Sequence, residues 1–167
     1  VCDEANMANL FIEQFINRPR KQAPAELILD LDATDDPIHG MQEGRFFHGY
    51  YDHYCYLPLY IFCGSELLCA KLRPANIDGA AGSLEEVERI VSALREKWPE
   101  VRIILRGDSG FCREELMAWC EESRVDYIFG LARNARLLRM IAPSLQSATR
   151  AQEILGGSVR VYQELRY

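Results

Sequence analysis

The feature that most constrains this chain is residues 27–37, LILDLDATDDP, an aliphatic run that stops in four aspartates and a threonine. Its first half hardly alternates, which is the pattern of a strand covered on both faces. It predicts a buried strand over residues 26–31 that delivers carboxylates at its carboxyl end. Residues 101–105, VRIIL, repeat the design and run into Arg106, Gly107, Asp108, Ser109 and Gly110. In an open sheet of parallel strands, ligands gather outside the carboxyl ends where the strand order reverses. Two such strands ending in Asp therefore place acids side by side. Neighbouring carboxylates repel, and a divalent cation between them removes that cost, so the pattern points to a metal site.

A chain of 167 residues with 49% apolar residues has enough for one good core, and a second complete domain is not expected. No signal peptide is visible, and no apolar run approaches the ~20 residues that cross a bilayer. With Val at position 1, the expectation is an excised piece of a longer cytoplasmic protein that does not enter membranes. The six cysteines, Cys2, Cys55, Cys63, Cys69, Cys112 and Cys120, form no CxxC pair and have no His at zinc-ligand spacing. In their apolar contexts they read as reduced core residues. A net charge of −6 argues against a free-standing, non-specific DNA binder, which needs Lys and Arg to neutralise phosphates. It leaves open a catalytic domain whose acids hold metal while basic regions elsewhere grip the nucleic acid.

Along the chain, residues 6–16 carry Met7, Leu10, Phe11, Phe15 and Ile16 at helical spacing, before Pro19 and Pro24 interrupt. Residues 1–25 thus read as the tail of a preceding helical region and a linker. Its basic cluster, Arg18, Arg20 and Lys21, is either a solvated linker or a phosphate contact. Residues 33–53 form a long connection with three histidines (His39, His48, His53) and the aromatics Phe46, Phe47, Tyr50 and Tyr51. These rings either stack on exposed bases or pack over the sheet edge; the histidines lack metal-cluster spacing. Residues 54–62 and 66–72 read as a hairpin around Cys63-Gly64-Ser65, with Pro58 marking an edge or bulge. Ser83 with Glu86 forms a capping box for a helix whose apolar face is Leu84, Val87, Ile90, Val91 and Leu94. That helix is the crossover making the residue 101–105 strand parallel to the first. A second amphipathic helix covers residues 113–122, with Leu116, Trp119 and Cys120 inward. A third core strand covers residues 125–131, and residues 134–155 are helical with a break at Pro143. After Gly156-Gly157, residues 159–165 begin a strand with no partner left. This order predicts an α/β fold with a ribonuclease H-like core: a mixed five-stranded sheet with helices on both faces, over residues 26–142. Residues 143–167 would then begin an inserted segment.

With the elements in place, the strand ending Asp32-Ala33-Thr34 and the later one ending Gly107-Asp108-Ser109-Gly110-Phe111 resemble the DDE transposases of bacterial insertion sequences, the cut-and-paste type. The loop HGMQEGRFFHGYYDHY extends the match, which covers residues 26–131. The resemblance implies that two Asp and one Glu hold a pair of divalent ions, Mg2+ or Mn2+. These activate water or a 3′-hydroxyl for in-line attack on a DNA phosphodiester. Asp32 matches the first acid and Asp108 the second. Asp30 shares a strand face with Asp32 and is a candidate supporting or substitute ligand. Asp35 and Asp36 read as turn residues before Pro37. The family's glutamate has no convincing match: Glu153 lacks its Tyr, Arg and Lys context, and Glu164 falls in a predicted strand. The expectation is a third acid beyond Tyr167, so the fragment binds metal weakly and cleaves DNA poorly. Implied partners are transposon-end and target DNA, and a second copy in a homodimer.

Two other readings stay open. Asp30-Leu31-Asp32-Ala33-Thr34 is also the DxDxT pattern of haloacid dehalogenase-like phosphotransferases, with Asp30 as nucleophile, Asp32 as general acid and Asp108 on magnesium. Against it, the motif leads into a long loop and hairpin. Alternatively the fold serves as an interaction domain without catalysis. For Asp108 alone, a helix N-cap is the structural alternative, a part Ser109 can also play.

Overall fold

The computed structural model describes residues 4–167. It divides into two compact units, one ending at Leu131 and one running from Ala132 to Tyr167. In the first, α1 (Glu4–Asn17) is followed by β1 (Glu26–Ala33), and β2 (Asp36–Pro37), β3 (Phe46–His48) and β4 (His53–Tyr56) come next. The hairpin β5 (Leu59–Cys63) and β6 (Glu66–Lys71) leads to α2 (Ser83–Lys97), β7 (Arg102–Gly107), α3 (Glu114–Glu122) and β8 (Asp126–Phe129). The main sheet has the order β6-β5-β1-β7-β8. β5 runs antiparallel to both of its neighbours, β6 and β1, whereas β1, β7 and β8 are parallel. Each parallel step needs a crossover, and α2 and α3 supply them. This is the mixed five-stranded arrangement of a ribonuclease H-like core.

β1 is covered on one face only. Leu27, Leu29 and Leu31 are buried, while Glu26, Ile28 and Asp32 alternate with them on the other side and are exposed. The buried leucines join Ile103 and Leu105 of β7, Val87, Ile90 and Leu94 of α2, and Leu116 and Cys120 of α3 in a single core. α1 adds Ile12 and Phe15, the latter edge-on to Trp98. All three helices of this unit thus contribute to one core. The opposite face leaves Ile28 and Ile128 36% and 62% exposed. It is crossed by ion pairs of Arg102 with Glu26 and Asp126, which make that surface compatible with water. The aliphatic run of β1 fooled a period-based reading because Ile28 is apolar yet lies on the open side.

Three local expectations are corrected. The residue 54–62 run is two strands, separated at Leu57-Pro58. β4 belongs to a second, three-stranded sheet of order β2-β4-β3, built from the connection that had read as loop, and β5 lies inside the main sheet. The capping box does not form: α2 is entered through Gly82 in the left-handed region (φ 72°) with no side-chain cap, and Ser83 is buried. Glu86 instead accepts from Lys71 at 2.9 Å and from Arg89 at 2.6 Å. The helix expected to break at Pro143 runs unbroken as α4 (Ala135–Leu155). Asn134 caps α4, its side chain accepting from the Leu137 N–H, and left-handed Gly156 ends it.

α4 forms the second unit with the segment that follows. Residues 159–165 form no strand; lacking a neighbouring ladder, they lie along α4. Val159 and Leu165 line a groove with Ile141 and Leu145, and Asn134 donates to the Tyr167 hydroxyl at 2.8 Å. Of the cysteines, Cys2 lies outside the described residues and the other five are free thiols. Cys55, Cys69 and Cys120 are buried, and burial pushes the thiols of Cys69 and Cys120 up to about 12 and about 11. Cys63 and Cys112 are half-buried. No described helix is long and apolar enough to cross a membrane.

Candidate functional site

Register places the two acids. β1 and β7 pair from Glu26↔Arg102 through Asp30↔Arg106 to Leu31↔Gly107. One step further along both strands lie Asp32 and Asp108, at the carboxyl edge of the sheet and exposed. The Asp32 carboxylate makes no hydrogen bond or ion pair among the described residues, while its backbone pairs with Tyr60 in the sheet. Asp108 sits in a tight turn: its Oδ1 accepts from the Gly110 N–H at 2.7 Å, and its carbonyl from Phe111 at 3.2 Å. Phe111 is fully buried and anchors that turn to the core. The N-cap of α3 is Arg113, which makes no side-chain cap bond, so Asp108 caps its own turn and not the helix.

The turn is pressed from the β8 side. Gly130 donates to the Gly107 carbonyl at 3.1 Å. A Cβ at Gly130 would fall 2.9 Å from the Ser109 nitrogen and 3.2 Å from the Asp108 carbonyl carbon, so only glycine fits beside the acid's backbone.

Asp30 points to the same side as Asp32, but Arg106 Nε and Nη2 hold its two carboxylate oxygens at 2.5 and 2.9 Å. This fork-to-fork pair engages both carboxylate oxygens. The sequence reading named Asp30 and Arg106 without joining them. The signal was present: each stands two residues before an acid, so parallel pairing makes them neighbours.

The small sheet closes one side of the acid edge. Asp35, at the end of the crossing from β1, lies 2.7 Å from His53 Nε2. Tyr51 stacks near His53 and His48, with ring centroids 6.1 and 4.8 Å away. Ala33, His48, Tyr50, Tyr51, Asp108 and Phe111 line a cavity of about 180 Å³. Burial raises the Tyr51 phenol above its ordinary value, and the charges of Asp35, Asp32 and Asp108 push the same way, so both strand-end acids act on one hydroxyl. On the far side, Arg113 Nη2 binds Asp78 Oδ2 at 2.8 Å and Asp78 Oδ1 accepts from Ala80, which fixes the loop entering α2. The two arginines of the basic cluster near the N-terminus are otherwise engaged. Arg20 lies over the Phe15 and Trp98 rings at 4.5 and 4.9 Å, and Arg18 pairs with Glu66.

Among the described residues no three His, Cys, Asp or Glu side chains gather as a metal cluster. Glu153 lies on α4 and Glu164 in the irregular segment after it, both in the second unit.

Comparison with known proteins gives one family match: the model described as transposase DDE domain group 1 covers residues 2–167. No curated protein sequence matches the chain. Among solved structures, it is similar to the piggyBac transposase in its synaptic complex with hairpin DNA (16% identity, TM-score 0.47, 79% of this chain and 28% of that one). It is also similar to the catalytic domain of the Mos1 mariner transposase (14% identity, TM-score 0.45, 97% and 78%). A third is the HTLV-2 integrase catalytic core domain in complex with magnesium (12% identity, TM-score 0.39, 81% and 79%). The chain thus spans under a third of the piggyBac transposase chain.

Proposed function

The chain belongs to the group 1 transposase DDE domain family, and from that membership we propose that Asp32 and Asp108 are two of its catalytic acids. They would hold divalent ions, Mg2+ or Mn2+, for cleavage of DNA phosphodiesters and strand transfer during insertion-sequence transposition. The observation that carries this reading is the register of β1 and β7, whose next residue pair beyond Leu31↔Gly107 is Asp32 and Asp108. The donor set fits: two exposed carboxylates with no cation paired to either among the described residues suit a hard, oxygen-seeking ion that keeps several waters. When bound, such an ion activates a water or 3′-hydroxyl and steadies the leaving oxygen.

The residues of the chain do the rest. Asp108 is oriented by its bond from the Gly110 N–H to Oδ1, which leaves Oδ2 without a hydrogen-bond partner among the described residues. The Asp30–Arg106 pair is neutral overall and keeps a third charge from adding to the repulsion at the edge. Asp30 is then a supporting residue for Asp32, and its pairing with Arg106 weighs against the phosphotransferase reading, which requires it as nucleophile. DNA at transposon ends and targets is the proposed substrate, with a homodimer and a cytoplasmic setting proposed for the whole protein.

Ion-dependent melting tests this directly. Saturating Mn2+ or Mg2+ is expected to raise the melting temperature, by a few degrees once the ion reaches about ten times its Kd. Asp32→Asn and Asp108→Asn should each abolish the shift, whereas Glu153→Gln should not. Melting curves that ignore the ions in the unsubstituted chain would overturn the assignment.

A further inference from the structure

Tyr50 is the feature that this reading leaves unexplained. It is 85% exposed, an unusual position for a large aromatic ring that stabilises nothing by burial. Its neighbour Tyr51 is half-buried and packs against the small cluster of Cys55, Leu57 and Ala75. The two rings stand almost perpendicular, 86° apart with centroids at 5.0 Å. They make a corner, and that corner is part of the wall of the 180 Å³ cavity that also holds Asp108.

The chemistry of this wall selects its ligand. No Lys or Arg lines the cavity, and the charges of Asp32, Asp35 and Asp108 all reach the Tyr51 hydroxyl. With no cationic side chain on this wall a phosphate finds no partner in it, whereas a neutral flat ring does. Such a ring places its face on one tyrosine and its edge on the other, and aromatic pairs favour both arrangements. A polar group on its rim also has a partner to meet in the cavity wall. His48 Nδ1, a ring nitrogen of another lining residue, is buried with no hydrogen-bond partner among the described residues. A base inside a duplex hides both faces against its neighbours, so only an unpaired base can use the corner.

We propose that an unpaired nucleobase of the DNA strand stacks on Tyr50, in the cavity that Tyr50, Tyr51 and His48 form beside Asp108. This rests on the proposed function for its substrate class, and it adds a base-binding subsite made by the turn between β3 and β4. The subsite grips a frayed end or a displaced base next to the bond being cut, and it favours DNA with a free base over intact duplex.

The test uses the 167-residue chain in Ca2+ and a short duplex with a three-base 3′ overhang carrying 2-aminopurine, whose fluorescence falls on stacking. A blunt duplex is the reference. The expected result is quenching on binding and roughly tenfold tighter binding of the overhang DNA than of the blunt duplex. Tyr50→Ala should lose both, and Tyr50→Phe, which keeps the ring, should retain them. Phe47→Ala, an exposed ring on the opposite face of the hairpin, should change neither. A Tyr50→Ala chain that keeps the quenching and the overhang preference overturns the subsite, as does an unsubstituted chain with no preference. Neither result touches the assignment of Asp32 and Asp108, which the melting experiment decides by itself.

Discussion

Asp108 is exposed, yet its position depends on a residue that carries no side chain. Gly130 lies so close to the Asp108–Ser109 peptide that a methyl group there must push backbone, and backbone has little room to give. Gly130→Ala is therefore expected to displace the acid without dissolving the core. Calorimetry should show a stability loss within the ordinary range of about 1–3 kcal/mol, together with disappearance of the ion-dependent melting shift. An ion shift of full size in that variant would mean that the turn tolerates the displacement. The aspartates themselves were legible from sequence, since an aliphatic run ending in Asp is a short-range signal. Arg106 as the partner of Asp30 was not, because their contact depends on which strands are neighbours and in what register.

Among the elements, those with long periodic faces were read correctly: α2 from Leu84 to Leu94, and β7 from its VRIIL run. Errors gathered where a local rule met a tertiary one. Glu86 has the spacing of a capping box, but Lys71 and Arg89 hold its carboxylate and the helix starts without it. The alternation of residues 159–165 suits a strand, but a strand requires a neighbour. Pro143 shows how a breaker is overruled: α4 is 21 residues long, so one missing N–H is carried by the turns on either side. It still costs the helix. Pro143→Ala should raise the stability of the second unit by up to about 3 kcal/mol, seen as a higher melting temperature of the helical circular dichroism signal. No gain would show that the proline is already accommodated, for instance by a bend.

For the molecule as a whole, acid is the natural probe of what holds the first unit together. Burial alone would raise the Glu86 carboxyl, but the hydrogen bonds from Arg89 and Lys71 outweigh it and hold it below its ordinary 4.5. Arg113 likewise holds Asp78 below its ordinary 3.8. Between the folded and unfolded values the unfolded chain binds more protons, so stability rises with pH there. The contribution is complete above about pH 5 and disappears as the pH falls through the lower folded values. Melting temperature measured from pH 2.5 to 7 should be flat at the top and fall steeply below pH 4, with a shallower fall in Glu86→Gln. The pairing of β1 with β7 has one last consequence. Because side chains change sides at every residue, the edge acids obey a parity rule: the number of residues separating Asp108 from Arg106 must stay odd for it to keep facing the way Asp30 faces. Substitutions inside β7 leave that arithmetic alone, whereas inserting or deleting one residue between Arg106 and Asp108 turns the acid toward the greasy side of the sheet.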